Sequence, residues 1–341
     1  MSIRIRLLQT IYPHWGAHTG IHQFVQHLDK QQFRTDTRRH ADGNSDRQWP
    51  NGNKWYGRSD FAAEMKSIPG CMFNSTQILH YLDGEHTVHY LPAWLRKFRF
   101  SRARTVATFH QPARMLEKLV NPEVIENLHH VNLVSPCQLD FFRQFLPADR
   151  ITVILHGIDT AFFKPAPRVR STDVFRVVTV GHWLRDWTAI DKVAMKLRDE
   201  ADVEFHVVTN RDTQMQASKN VTYHRNISDQ GLRSLYQQCD VLFLPLTHST
   251  ANNSILEGIA CGLPVISTSM ESVNTYLPNN EALLFEDNPP DQLADAILYL
   301  KDRPEIRAKM GRQARQRAEE LSWQNIAREF ESLYTGLQAA R

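Results

Sequence analysis

The chain has 341 residues, 42% of them hydrophobic and 23% charged, with a formal net charge of +3 when histidine is neutral. That length exceeds what one ordinary core serves and predicts two domains, and so small a net charge argues against nucleic acid as the main partner. The four cysteines, Cys71, Cys137, Cys239 and Cys261, include no CxxC pair and suggest no disulfide framework, which fits a reducing cytoplasm.

The N-terminal IRIRLLQTIY reads as a strand, too short an apolar run before Pro13 for a signal peptide. No segment has the ~18 apolar residues of a membrane span. HWGAHTG follows as a loop and IHQFVQHLDK as a short amphipathic helix. His14, His18 and His22 recur every four residues, the spacing of helical zinc ligands. They fall on a strand end, a loop and a helix start, so no ligand geometry stands behind the spacing.

Residues 35–60 are polar and rich in turn formers and read as an exposed loop. Strands are expected at TVHYL, ARTVATFH, VNLVSP and ITVILHG, and helices at EVIENL and QLDFFRQFL. RKFRFSRAR, Arg96 to Arg104, is either a solvated loop or a contact for an anionic surface. KPAPRVRSTD (164–173) reads as a linker.

A second α/β series follows: strands FRVVTVG, VEFHVVT, VTYH, DVLFLPL and PVISTS, with helices near AIDKVAMKL, DQGLRSLYQQ, NSILEGIAC and DQLADAILYLK. SWQNIAREFESLYTGL carries Trp323, Ile326, Phe330 and Leu333 at helical spacing. In such open sheets ligands bind beyond the carboxyl ends of the strands.

LPLTHSTANNSILEGIACGLPVISTS is strand, polar loop, short helix and strand, with Gly262 closing the helix. The helix starts near Asn253 or Ser254, and its free N–H groups suit a phosphate. Glu257 is expected in the first turn, where Ser254-x-x-Glu257 also fits a capping box.

NNSILEGIACGLPVIST, together with ITVILHGIDTAFFKP, VVTVGHWLRDW and SWQNIAREFESLY, resembles the family-4 retaining glycosyltransferases of the GT-B fold. The resemblance covers nearly the whole chain, strongest over 151–334 and weaker before 105. It implies an α/β chain with two Rossmann-like doubly wound domains facing each other across a cleft. Residues 1–164 would form the acceptor-side domain and 165–318 the donor domain, with 319–341 a helix packing back on the first. The implied activity is hexosyl transfer from a UDP- or GDP-linked sugar to a glycan or lipid-linked acceptor, with retention, in cell-envelope or exopolysaccharide biosynthesis. The cysteine usage gives a cytoplasmic location, and the basic run Arg96–Arg104 with the aromatic residues Trp94, Phe98 and Phe100 points to a membrane-bound or anionic glycan acceptor, with contact at the inner face of a membrane.

Residue by residue, the resemblance implies that Glu257 binds the donor ribose and that Asn252, Asn253 and Ser254 hold the diphosphate. His182 stands where the family has an arginine, leaving Arg185 as the permanent cation for the phosphate. His110 would stabilise an oxocarbenium-like transition state. Gly16, Thr19 and Gly20 would line the donor from the first loop, with His18 offering a sugar or phosphate contact. No metal and no cofactor besides the donor is expected, and no Asp-x-Asp pair occurs.

His156 replaces the usual asparagine before Gly157, and Ser249 stands where the family often has a first glutamate. Two rivals stay open: a non-catalytic nucleotide-sugar-binding partner, which Ser249 and His182 favour, and a sugar-nucleotide epimerase of the same fold. A phosphorylase would need a much longer chain, and no GxGxxG supports a dehydrogenase.

Overall fold

The computed structural model describes residues 2–11, 16–41, 53–73, 75–97, 101–167, 174–213, 215–216 and 218–339. His14, the aromatic residues Phe98 and Phe100 of the basic run, and most of the linker lie outside them. The chain divides into two units, Met1–Trp15 with Gly20–His156 and Trp323–Arg341, and Gly16–Thr19 with Gly157–Ser322. The divisions fall at 156/157 and 322/323, against the expected 164/165 and 318/319, and a four-residue piece of the first loop groups with the second unit.

In the first unit the elements are β1 (Ile3–Ile11), β2 (Phe33–Ala41), α1 (Arg58–Met72), β3 (Ile78–Tyr81), α2 (Gly84–Thr87), α3 (Tyr90–Lys97) and β4 (Arg104–Phe109). Then come α4 (Ala113–Leu119), α5 (Pro122–Asn127), β5 (His130–Leu133), α6 (Leu139–Phe142) and β6 (Ile151–Val153). The second unit holds β7 (Phe175–Val180), α7 (Trp187–Lys196), β8 (Val203–Val208), β9 (Val221–His224), α8 (Asp229–Gln238), β10 (Val241–Leu244) and α9 (Asn253–Ala260). It continues through β11 (Val265–Thr268), α10 (Glu271–Tyr276), β12 (Ala282–Phe285), α11 (Pro290–Lys301) and α12 (Pro304–Glu320), and α13 (Trp323–Ala339) returns to the first unit.

Each unit has one six-stranded sheet, ordered β2-β1-β3-β4-β5-β6 and β12-β11-β10-β7-β8-β9, and every pairing is parallel. Parallel strands need crossover helices, which cover both sheet faces and bury the central strands on both sides. Accordingly β3, β5, β10 and β11 are buried at every residue. The first core gathers Leu79, Tyr81, Phe109, Leu133 and Phe142, and the second Val177, Phe205, Phe243, Ile190 and Ile297.

The last helix is held on the first unit by aromatic packing. Phe330 stacks on Phe24 with ring centroids 4.1 Å apart, and burying one such side chain contributes about 1.5–3 kcal/mol. His80 is fully buried between Tyr334 Oη (2.7 Å) and Thr108 Oγ1 (2.8 Å). Burial drives its pKa down to about 3, so the neutral ring satisfies both partners without a buried charge.

Several local expectations are corrected. Residues 35–41, read as the start of a loop, belong to β2; this edge strand pairs with β1 alone, and its charged side chains reach solvent, as in the Arg6–Asp36 ion pair. TVHYL is not a strand. The true strand is the preceding ILHY, and α3 starts at Tyr90 because the buried Glu64 carboxylate accepts from the amides of His89, Tyr90 and Leu91. The short helix expected from Ile21 is present, as a 3-10 helix over Ile21–His27.

Candidate functional site

Strand β7 sends its crossover toward β8 on one side, whereas its other neighbour β10 leads to β11. This is a topological switch point, where open α/β sheets bind ligands. Arg185, Asn252, Ser254 and Glu257 collect around it.

After β7 the chain reverses through Gly181 (φ 87°) and Leu184 (φ 59°), both left-handed. Only glycine adopts that region without penalty, and a Cβ on Gly181 would lie 2.7 Å from Arg185 Nη2. The guanidinium holds the reversal together. Its Nε and Nη2 donate to the Val180 carbonyl (3.0 and 2.9 Å), Nη1 donates to the Trp183 carbonyl (2.8 Å), and Nη2 also donates to Ser254 Oγ (3.1 Å). Burial brings its pKa down to about 10, so it stays cationic at neutral pH. No ion pair forms with Asp186, which caps α7 at the Ala189 amide (3.0 Å). Most of the fork is spent on the protein, so Arg185 is a cation set beside α9 rather than an open bidentate clamp.

Helix α9 is capped by Asn252, whose Oδ1 accepts from the amides of Ser254 (3.1 Å) and Ile255 (3.4 Å). The capping residue is therefore Asn252 and not Ser254, whose hydroxyl instead donates to the Val180 carbonyl (3.1 Å). Glu257 is the fifth residue of α9, past its first turn, and it takes no part in a capping box. Its Oε2 accepts from Tyr236 Oη (3.0 Å) and its Oε1 from Thr19 Oγ1 (3.2 Å). The side chain is 4% exposed. Burial pushes its pKa up to about 7, and the Asp229 charge adds to the rise, against the bonds from Tyr236 and Thr19 and the charge of Arg185. The carboxyl thus holds its proton to higher pH than an exposed glutamate, and its oxygens keep lone pairs for further hydroxyl donors.

The loop Gly16–Thr19 docks in three places besides. The Ala17 amide donates to Asp229 Oδ2 (2.7 Å), and a Cβ on Gly16 would fall 2.0 Å from Asp229 Oδ1. His18 Nδ1 lies 2.8 Å from Asp159 Oδ2, and its ring stacks on Phe162 at 3.5 Å. His18 is thereby committed to the protein. Gly20 (φ 108°) belongs to the first unit and opens the 3-10 helix.

His182 follows Gly181, with its ring 5.6 Å from Trp187. Burial, then Arg211 and Arg185, lower its pKa, so it carries little charge at pH 7. Asn253 is the first residue of α9 and is half-buried. Ser249 is buried, with Oγ 3.5 Å from the Thr250 carbonyl. A cleft of about 490 Å³ opens on the same edge of the sheet, lined by Asp186, Leu246, Thr247, Thr268, Met270 and Asn288 among others, and none of the residues expected from sequence lines it.

In the first unit His110 directly follows β4. Its amide donates to Glu85 Oε1, and Nε2 lies 2.8 Å from the Leu82 carbonyl. Buried Asp83 has its pKa raised to about 6, chiefly by burial. Glu85, also raised by burial, accepts from the Gln111 amide as well (2.6 Å).

Sequence reasoning missed Tyr236, Asp229, Asp159 and Phe162. Asp159 and Phe162 lie within ITVILHGIDTAFFKP and could have been singled out there. Tyr236 and Asp229 carried no signal beyond a helical pattern. No described helix is long and apolar enough to cross a membrane, and no group of three or more potential metal ligands is found among the described residues.

Residues 165–303 match the family model described as Glycosyl transferases group 1. D-inositol 3-phosphate glycosyltransferase of Paenarthrobacter aurescens is 26% identical over 207 residues, 52% of this chain and 50% of its own. MMP alpha-(1->4)-mannosyltransferase of Mycolicibacterium hassiacum is 25% identical over 199 residues, 54% of this chain and 48% of its own. The chain spans about half the length of these curated relatives. Among solved structures, sucrose-phosphate synthase of Thermosynechococcus elongatus superposes with a TM-score of 0.76 at 16% identity, over 99% of this chain and 100% of its own. HepE of Anabaena, in complex with UDP-glucose, superposes at 0.71 with 12% identity, over 98% of this chain and 100% of its own. The fold is GT-B, and residues 165–303, within its second unit, are similar to the glycosyl transferases group 1 family.

Proposed function

We propose that the chain is a retaining glycosyltransferase that moves a hexosyl group from a UDP- or GDP-linked sugar to a glycan or lipid-linked acceptor of the cell envelope. The observation that carries this is the buried Glu257 carboxylate set along α9 from the Asn252–Ser254 helix start and Arg185. A carboxylate with unused lone pairs suits the two ribose hydroxyls, and the positive helix end with an adjacent guanidinium suits a diphosphate. In the reaction the anomeric carbon–oxygen bond to the diphosphate breaks. A bond to the acceptor oxygen forms on the same face, and the acceptor proton leaves on the released nucleoside diphosphate. The charge that builds on that diphosphate is met by the helix end and Arg185, with no metal or cofactor required. His110 serves the transition state rather than nucleotide binding.

Thermal stabilisation by UDP, GDP and ADP, then by their sugar forms, tests the donor assignment; saturating ligand at 100 times Kd adds about 2.7 kcal/mol. Release of nucleoside diphosphate from a sugar nucleotide with glycan and lipid acceptors, undiminished by EDTA, tests turnover and metal independence. A non-catalytic binding role is favoured by one feature, the neutral Ser249 in place of an acidic side chain. Tight nucleotide binding with no turnover on any acceptor would select it.

A further inference from the structure

A large aromatic residue whose backbone is tied to Arg185 leaves its side chain in solvent. Trp183 is 52% exposed, whereas Phe205, Tyr236 and Phe243 are buried. An indole left in water forgoes burial that a mobile loop would recover by folding inward. This loop is pinned on both sides. Arg185 Nη1 holds the Trp183 carbonyl (2.8 Å), and the Thr247 amide holds the Leu184 carbonyl (3.0 Å), with Leu184 itself left-handed (φ 59°). The same guanidinium bonds Ser254 Oγ at 3.1 Å, so the pinned loop abuts the start of α9.

We propose that Trp183 is the platform on which the ring of the transferred sugar rests, which makes it a specificity-determining residue. The proposal builds on the nucleotide-sugar reading given above. With the ribose at Glu257 and the diphosphate at residues 252–254, the donor runs along α9 toward its N-terminus. What lies past the phosphates is the sugar, while the base extends from the ribose in the other direction. The electron-rich indole face attracts the polarised C–H groups on the apolar face of a pyranose, and its geometry selects flat, equatorially substituted faces. The loop is already immobile, so little ordering entropy is lost on contact.

The test is binding of UDP, GDP, UDP-glucose and GDP-mannose to wild type, Trp183→Ala and Trp183→Phe by calorimetry. Trp183→Ala weakens the sugar nucleotide that wild type binds best by about three- to tenfold. Its nucleoside diphosphate stays within about twofold, and Trp183→Phe restores most of the loss. The contacts that pin the loop are made by backbone carbonyls, so both variants retain them. Equal losses for diphosphate and sugar nucleotide, or none for either, overturn the platform while leaving the nucleotide-sugar reading intact. Wild type that binds none of the four ligands overturns both.

Discussion

Glu257 makes the unliganded protein less stable as pH rises, and Glu257→Gln removes that dependence. In the unfolded chain the carboxyl titrates at its ordinary 4.5, and in the folded protein burial holds it at about 7. Below 4.5 it is protonated in both states and contributes no pH dependence. Between the two values the unfolded chain releases its proton while the folded protein keeps it, so stability falls with pH. Above about 7 the full penalty is present. At about 1.4 kcal/mol per pH unit, the fall between pH 5 and pH 8 is about 2–3 kcal/mol. For a unit of this size that is about 5–10 °C in Tm. Glutamine keeps an acceptor and a similar volume but cannot ionise. Scanning calorimetry of both proteins at pH 5 and pH 8 gives the comparison. Asp83 and Glu85, also raised by burial, are common to both proteins and cancel in the difference. If wild type and variant lose the same Tm between the two pH values, Glu257 is not held protonated by burial and the reasoning is refuted.

Gly16→Ala places a Cβ where Asp229 Oδ1 now sits, displacing the loop and its bond to the Ala17 amide; calorimetry is expected to show a loss of about 1 kcal/mol. Arg185→Lys keeps the charge but has no planar fork to serve Val180, Trp183 and Ser254 together. Nucleotide affinity, read by titration calorimetry, should fall about tenfold, and an unchanged Kd would show that charge alone matters. His110→Ala should lower turnover by about a hundredfold or more while leaving the Kd for nucleoside diphosphate unchanged; a weakened Kd with normal turnover would move His110 out of the catalytic role.

The second half of the fold was legible because its signals are local. Buried parallel strands read as apolar runs, and Gly181 and Gly262 mark the loops that follow β7 and α9. The first half was harder for identifiable reasons. Strand β2 is an edge strand whose side chains face water, so it carries no apolar run. The start of α3 is fixed by Glu64, which lies 25 residues before His89 in the chain. The candidate site was legible in part. Asn252, Ser254, Glu257 and Arg185 do come together, but the hydrogen-bond partners of Glu257, Tyr236 and Thr19, sit 21 and 238 residues away. The commitment of the Arg185 fork to the Val180 and Trp183 carbonyls depends on two left-handed residues that no spacing announces.

The cap on α9 bears on which anions the site admits. Asn252 Oδ1 already holds the Ser254 and Ile255 amides, so an arriving phosphate competes with an acceptor tethered to the same chain and present at high effective concentration. On the proposed reading a free inorganic anion, with nothing else to gain, would lose that exchange, whereas a nucleoside diphosphate would also bring hydroxyls for Glu257. The helix start would then discriminate against small anions in favour of ligands held at two places at once.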